Sequence, residues 1–474
     1  LDAERGRIVD EMLEAGRPVE EEAVARFRAA FAAIPATERR AWWDDHRLAW
    51  TPRADLRALA RELLGRDIED EVERRTSLDA VMGPIRALDE RIVAARHLGF
   101  TTDLDGTAAR ASHPALEAAI EAAPDDPGPW LAYGDWLQLH GDPRGELVIA
   151  QDGSPRGEDL GARLLDRHER YFLGGLARHD EVVTCTWRRG FLRTAKVVTT
   201  RVHEEAGIAQ APLVRTLLDL PSARFLEELT VGCASIHEEG VAEALIEAMV
   251  ASGPRPTLRR LAFTTYLDEE MLSWTSTGPL GALWPLYPHL TSLELTAGGL
   301  DLGDVDLPHL ARLRIETCGL TWENLQAIVR ASLPALRELE LWFGASDPDA
   351  PLTSGIAALL ASPPIDGVTR LGFVNTDLTD ELVAELVATP HLARLTHLDL
   401  SRGTLSDAGG QLLGRALADG LAPQLRSLDV GECYLTAAGL EALRAGGLAV
   451  RGADDQREPE PYDGVQRRFV SVSE

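Results

Sequence analysis

The sequence predicts an α/β fold: a curved solenoid with a parallel sheet on its inner side, preceded by an all-helical N-terminal region. Three observations support this prediction. Apolar residues recur at fixed offsets through the second half of the chain, amphipathic helical patterns lie between these segments, and residues 1–105 show helical patterns without strand alternation. The chain has 474 residues, more than one compact globule usually holds, so we expect several domains or a repeat array.

The repeated segments share apolar residues at offsets 0, 3 and 5. Eight such segments begin at Leu226, Leu258, Leu290, Leu310, Leu336, Val368, Leu395 and Leu425. Offsets 3 and 5 point to one side of a short strand, because successive side chains of a strand alternate between its faces. We therefore expect the leucines at offset 3 to stack in one buried row: Leu229, Leu261, Leu293, Leu313, Leu339, Leu371, Leu398 and Leu428.

The intervals between the strands predict helices, with one exception. Stretches such as TWENLQAIVRASL and SDAGGQLLGRALADG have apolar residues at three-and-four spacing and a Thr or Ser near the start that can cap the exposed amides. The step from Leu290 to Leu310 is only 20 residues. It leaves no room for a helix, so we expect an extended or single-turn connection there.

The offsets and the repeat length resemble the ribonuclease-inhibitor-like class of leucine-rich repeats. This resemblance implies a solenoid whose strand face recognises partners. In such repeats offset 8 commonly holds Asn or Cys, and here it holds Cys318 and Cys433, but Gly298, Gly344 and Gly403 in other units. We interpret the two cysteines as small buried groups of the core.

A second resemblance covers residues 115–151, which predict three short helices. The segment resembles the small repeat-companion helical domain of certain bacterial proteins, on the residues Tyr133, Asp135, Trp136, Leu137, His140, Gly141, Asp142, Pro143, Arg144, Gly145 and Glu146. The resemblance implies association with the repeats and a bacterial origin, but no chemistry. We interpret the charges around Arg144 as helix capping and a local ion pair with a carboxylate; a charged functional site is the alternative.

These patterns divide the chain into five regions. They are an all-helical N-terminal domain (1–105), a helical repeat-companion domain (112–152), an N-terminal cap of the solenoid (183–223), about eight leucine-rich repeats (224–450) and a C-terminal tail or cap (451–474). Caps are expected because terminal repeats lack a neighbour on one side. The last ten residues, VQRRFVSVSE, are interpreted as a final strand or a disordered tail.

Composition and motifs argue against several functions. A formal net charge of −28 repels phosphate backbones and anionic lipids, so we expect neither nucleic acid nor a membrane as partner. Four cysteines without paired spacing, and the lack of a long apolar run, favour a cytoplasmic protein. Because no catalytic, phosphate-binding or metal-binding motif occurs, we expect a non-enzymatic protein without cofactor or metal.

The predicted function is therefore protein–protein interaction or regulatory scaffolding through the concave strand face. Trp342 and Phe343 are expected to be outward aromatics of an interaction hot spot, unless the following loop folds over them or a register slip buries one of them. The complete set of predicted partner-binding residues is Trp342, Phe343, Glu316, Glu338, Glu340, Arg314, Arg370, Asp399 and Arg402. The acidic excess of the repeat half predicts a protein partner with a basic patch, and a partly acidic partner is the alternative, because Arg260, Arg312, Arg314 and Arg370 make the face mixed.

An alternative function assigns activity to the region before the repeats. In this interpretation the chain is a multidomain effector whose helical N-terminal domain (1–105) has an enzymatic or signalling activity, and the repeats select the target. The few polar residues there that suit catalysis, among them His46 and His97, argue against it.

Overall fold

The structure, a computed structural model, describes residues 112–151, 155–200, 202–203, 208–235, 240–265, 269–345 and 352–472. The chain separates into two compact units. Among the described residues, one unit contains residues 112–120 and 126–179, and the other contains residues 121–125 and those from 180 onward. The prediction of an all-helical domain over residues 1–105 lies outside the described residues.

In the part of the chain that the structure describes, four helices precede the sheet: α1 (Pro114–Ala122), α2 (Pro127–Leu139), α3 (Arg144–Ala150) and α4 (Pro155–Leu173). The first three correspond to the predicted helices, whereas α4 was not predicted. Gly141 ends the second helix with a positive φ of 72°, which glycine adopts without strain.

The charged cluster beside α3 is a buried ion pair. An oxygen of Asp142 accepts a hydrogen bond from the Arg144 amide at 2.9 Å, and its carboxylate also binds the guanidinium of the same arginine. Burial alone would lower the pKa of Arg144, but the hydrogen bond and charge of Asp142 raise it. Capping and a local pair, the simpler of the two interpretations, are what the structure contains.

The main sheet has 11 strands. Their order is β1 (Val183–Arg188), β2 (Phe191–Val197), β3 (Glu228–Gly232), β5 (Arg260–Thr264), β7 (Ser292–Thr296), β9 (Arg312–Glu316), β10 (Glu338–Gly344), β11 (Arg370–Thr376), β12 (His397–Asp399), β13 (Ser427–Asp429) and β14 (Val450–Arg451). The first two strands form an antiparallel hairpin. All later neighbours are parallel, which confirms the predicted parallel sheet.

The predicted leucine row is present without a break. Each leucine at offset 3 is paired in register with that of the next repeat, from Leu229 on β3 to Leu428 on β13. All eight are almost fully buried. Each repeat therefore buries its strand against its neighbours, and the interior continues through the array.

Helices pack behind this row. They are α5 (Gln210–Asp219), α6 (Val241–Ala251), α7 (Trp322–Arg330), α8 (Leu352–Leu360), α9 (Thr379–Val387), α10 (Asp407–Ala418) and α11 (Ala437–Arg444). As predicted, hydroxyl groups cap several of them: Thr321, Ser406 and Thr436 each accept a hydrogen bond from an amide in the first turn.

The short repeat step contains no helix, as predicted. Residues 297–311, all of them described, connect β7 to β9 through the short strand β8 (Gly299–Asp301). This strand joins β4 (Ala234–Ser235) and β6 (Thr275–Pro279) in a separate three-stranded sheet.

The chain after the last repeat turns back toward the sheet. Strands β15 (Glu460–Tyr462) and β16 (Val465–Arg467) form an antiparallel hairpin. Residues 469–472, which we call the docked segment, then lie against side chains of β10 and β11 and the loops that follow the strands. The expectation of a final strand for the last ten residues is thus met by β16 at their start, and the docked segment that follows it contacts the repeats without joining the main sheet.

Candidate partner-binding face

The face of the sheet opposite the leucine row, which we call the open face, presents its side chains in rows. Strand register defines the first row as Glu228, Arg260, Ser292, Arg312, Glu338, Arg370 and His397. The second row contains Ala262, Glu294, Arg314, Glu340, Gly372, Asp399 and Asp429. The third includes Thr296, Glu316, Trp342 and Val374. Seven of the nine predicted partner-binding residues lie on these rows: Glu338 and Arg370 on the first, Arg314, Glu340 and Asp399 on the second, and Glu316 and Trp342 on the third.

Charges on the first row alternate and pair with one another. Glu338 lies between two arginines, with N–O distances of 3.3 Å to Arg370 and 3.9 Å to Arg312. Arg312 also lies 3.7 Å from Glu294. These side chains are close to half exposed, so each pair adds little to folding stability.

A tighter cluster surrounds Arg314 on the second row. Its guanidinium binds Glu316 at 2.7 Å and Glu340 at 2.8 Å. Burial alone would lower the pKa of Arg314, but the two carboxylates and their hydrogen bonds raise it. The arginine is therefore a firmly charged, fixed part of the face and not a free cation.

Asp399 occupies the same row three repeats later. Burial raises the pKa of its carboxyl group, and the nearby charges of Asp429 and Glu340 add to this effect. Hydrogen bonds from Ser401, including one from its backbone amide at 2.9 Å, act in the opposite direction. Asp399 thus stands in a crowded acidic setting at the end of β12.

Phe343 does not belong to this face, so the expectation that it points outward is wrong. The residue is 1% exposed, and its ring packs edge-on against Phe373 at 5.7 Å between centroids. The physical reason is the alternation of the strand: offset 7 has the same parity as the buried offsets 3 and 5, so the side chain enters the core.

Trp342 does lie on the open face, but it is not exposed to solvent. Only 5% of its surface is accessible, and it forms an apolar cluster with Leu272, Cys318, Val374 and Val472. Its indole Nε1 donates a hydrogen bond to Glu340 at 2.9 Å. The expected exposed aromatic is therefore covered, and part of the cover comes from the docked segment.

Two arginines complete the surroundings of this tryptophan. The guanidinium carbons of Arg314 and Arg402 lie 5.7 Å and 5.0 Å from the centre of its ring. Arg402 also pairs with Glu432 at 3.3 Å. Cation–π contacts of this kind are attractive and hold the indole in place.

The docked segment is held mainly through its backbone. The side chain of Asn375 donates to the carbonyl of Val472 at 2.7 Å and accepts from its amide at 2.8 Å. The amide of Ser471 donates to the Arg402 carbonyl at 3.1 Å. The Tyr434 hydroxyl contacts both the amide and the carbonyl of Phe469 at 2.9 Å.

Unusual backbone conformations create these contact points. Asn375, near the end of β11, and Arg402, just after β12, occupy equivalent positions of their repeats and have φ values of 52° and 63°, in the left-handed region that few residues other than glycine adopt. Gly344, at the end of β10 and paired with Thr376, has φ 70°; a Cβ there would lie 1.5 Å from the Cys318 carbonyl oxygen. The strands thus end in a series of similar turns, along which the docked segment lies.

The thiols of this unit are structural. All four cysteines are unpaired with one another, and burial raises the pKa of Cys185 to about 11 and those of Cys233 and Cys433 to about 12. Cys318 and Cys433 are buried as interpreted, and the second donates to the Leu400 carbonyl at 3.2 Å. Within the described ranges, no group of three His, Cys, Asp or Glu residues is arranged to hold a metal ion.

Of the helices in the described part of the chain, none combines the length and the apolar character that a bilayer crossing needs.

Sequence reasoning missed two features of this face. The first is the pairing of the charges, which the sequence could have predicted, because one offset of the repeat holds Glu228, Arg260, Arg312, Glu338 and Arg370. The docked segment gave a weaker signal: alternating valines in FVSV after the last repeat. Nothing in those residues indicates which part of the molecule they contact.

A family model matches part of the repeats, and two solved structures are similar to the chain. Residues 391–414 match the family described as Leucine Rich repeat. A protein from Bacteroides fragilis has 19% identity and a TM-score of 0.46, with coverage of 64% of this chain and 84% of that chain. An internalin from Listeria monocytogenes has 16% identity and a TM-score of 0.24, covering 54% and 79%. No curated protein matches the chain.

Proposed function

We propose that this leucine-rich repeat protein is a non-enzymatic interaction or scaffold protein that binds a protein partner on the open face, the concave side of the solenoid. The observation that supports this proposal is the first row of the open face, which carries Arg and Glu side chains on β3, β5, β9 and β10. Arg260 and Arg312 are 64% and 47% exposed, and their guanidinium groups lie 3.8 Å and 3.7 Å from the carboxylates of Glu228 and Glu294. Arginine is enriched in protein interfaces, where its guanidinium group can bind carboxylates of a partner.

The nature of the partner follows from the charge pattern. Acidic and basic groups alternate along this face, so a complementary partner presents both signs in alternation. A basic patch on the partner is still predicted near Asp399 and Asp429, where two carboxylates are adjacent in the second row. The strongly negative balance of the chain steers such a patch toward the protein at low ionic strength.

The test is capture of a partner by the full chain with matched charge reversals. Arg312→Glu changes the open face, and Arg415→Glu makes the same change at an exposed position on α10. We expect a partner captured by the unchanged protein to bind at least about tenfold more weakly to Arg312→Glu, because like charges then meet at the interface. Arg415→Glu should bind normally. Equal binding by both variants would contradict the proposal.

Three finer assignments accompany this proposal. We place the protein in the cytoplasm, because buried thiols without disulfides suit a reducing compartment. We assign residues 112–152 to the repeat-companion domain, supported by α1, α2, α3 and the turn at Gly141. We propose five regions in the chain, with the bounds 1–105, 112–152, 183–223, 224–450 and 451–474.

A further inference from the structure

We propose that the ends of strands β10 to β13 form a groove for a peptide segment, and that the docked segment fills this groove as an internal ligand. The natural partner would present a segment of the same chemistry: a backbone that bends at the groove as residues 471 and 472 do, with a Val-sized residue for the Trp342 pocket, and arginine before it. The segment of the chain and the partner would then compete for one site. This inference rests on the proposed function, because it specifies both the partner and its regulation.

The groove recognises backbone before it recognises side chains. The Asn375 side chain satisfies both the amide and the carbonyl of one residue, as a neighbouring strand would. The Arg402 carbonyl accepts from the amide of the preceding residue. Such contacts accept any residue with a free amide, so they suit a peptide from another protein equally well.

Side-chain selection comes from one pocket and one ion pair. Val472 is 3% exposed and packs with Trp342, Val374, Cys318 and Leu272. This pocket is closed, so it selects a small branched apolar residue. Arg468, just before the segment, lies 3.6 Å from Asp380.

The attachment of the segment is of the kind that can be exchanged. It consists of a few hydrogen bonds, the buried side chains of Val470 and Val472 and, just before it, the partly exposed ion pair of Arg468, and no described part of it joins the main sheet. Small units held by few buried contacts open locally without unfolding the whole domain. A partner peptide therefore reaches the groove when the segment opens.

The first experiment measures release of the segment without any partner. Cys318 lies under Val472, so its alkylation by iodoacetamide, located by mass spectrometry of peptides, reports an open groove. In the full chain carrying Val472→Asp we expect alkylation of Cys318 to be about tenfold faster or more, because a buried carboxylate is unfavourable. Cys233 should not change. Val465→Asp, at a 60% exposed position on β16, is the matched control and should leave Cys318 protected.

A second variant guards against general damage to the fold. Asn375→Asp keeps the size of the side chain and tolerates the left-handed backbone, but it loses the donor to the Val472 carbonyl. We expect it to increase the alkylation of Cys318 as well. Protection of Cys318 in both variants would overturn the proposal.

The second experiment tests exchange with an added peptide. The probe is a synthetic peptide with the sequence of residues 467–474, RRFVSVSE, and its control carries Val470→Asp and Val472→Asp. The probe should restore protection of Cys318 in the Val472→Asp protein, and the control peptide should not. If the probe does not protect Cys318, the docked segment only stabilises the fold and the proposal of a peptide-binding groove is wrong.

These outcomes separate the inference from the proposed function. If a partner binds through Arg312 but binds equally to the unchanged protein and to Val472→Asp, the proposed function stands and the competition is wrong. If the probe protects Cys318 while Arg312→Glu retains every partner, the groove proposal is supported and the first row of the open face is not the binding surface.

Discussion

The two halves of the open face share one strand register but differ in what covers their side chains. The first half is formed by β3, β5, β7 and β9, and the second half by β10 to β13. In the first group the outer positions hold exposed arginines and glutamates that pair with each other, such as Arg260 with Glu228. In the second, the third row is covered by Val472 and its neighbours. The repeat fixes which side chains leave the core, and segments outside the repeat decide whether they meet solvent.

The largest expected effect on the free energy of unfolding separates Phe343, which was assigned to the open face but is buried in the core, from Arg312, which is exposed. Phe343→Ala should lower the free energy of unfolding by about 3 to 5 kcal/mol, because it removes a buried ring from a packed interior. Arg312→Ala should change it by no more than about 0.5 kcal/mol. Urea unfolding followed by circular dichroism measures both. Similar values for the two variants would contradict the inward orientation of Phe343.

A double-mutant cycle sharpens the contrast within the second half. Trp342→Ala and Val472→Ala remove the two partners of one contact, so their effects on unfolding should be non-additive by about 0.5 to 1.5 kcal/mol. The pair Trp342→Ala and Val465→Ala is the control, since Val465 lies outside the apolar cluster, and should be additive within about 0.5 kcal/mol. Additivity in the first pair would mean that the valine does not contact the indole in solution.

The smallest expected effect concerns charge on the second row. The pKa of Asp399 is raised in the fold, so its ionised form destabilises the protein, and this cost exists at pH values above the raised pKa. The cost disappears as the pH falls below the unfolded value of about 3.9. Asp399→Asn should therefore raise the melting temperature at pH 7 and lose this advantage near pH 3.

A matched change in the first half of the open face is not expected to raise the melting temperature. Glu294→Gln removes a carboxylate that lies 3.7 Å from Arg312, so it should leave the melting temperature at pH 7 unchanged or slightly lower. Thermal unfolding of both variants at the two pH values provides the comparison. A lower melting temperature for Asp399→Asn at pH 7 would contradict the crowded acidic setting.

The repeats were predictable because they rest on local and periodic information. The eight leucines of offset 3, the extended step after Leu290 and the caps at Thr321 and Ser406 follow from spacing and residue type alone. Phe343 was also within reach, since strict alternation already places offset 7 in the core. The error came from treating offsets 6 and 7 as one surface.

The cover over Trp342 was not predictable from the sequence. The residue obeys the outward parity of its strand, and its burial depends on Val472 and Leu272, which lie in other parts of the chain. Contacts between irregular segments have no period, so composition and spacing do not reveal them. The same holds for the hydrogen bonds of Asn375, whose partner is 97 residues away.

That separation along the chain also sets an order of events during synthesis. At a translation rate of about 5 to 20 residues per second, roughly 5 to 20 seconds pass between the addition of Asn375 and that of Val472. During this interval β10 and β11 have emerged or are emerging, and the indole of Trp342 has no cover from the docked segment. A nascent chain would therefore offer an uncovered aromatic surface to chaperones, or to a partner translated nearby, before the finished protein hides it.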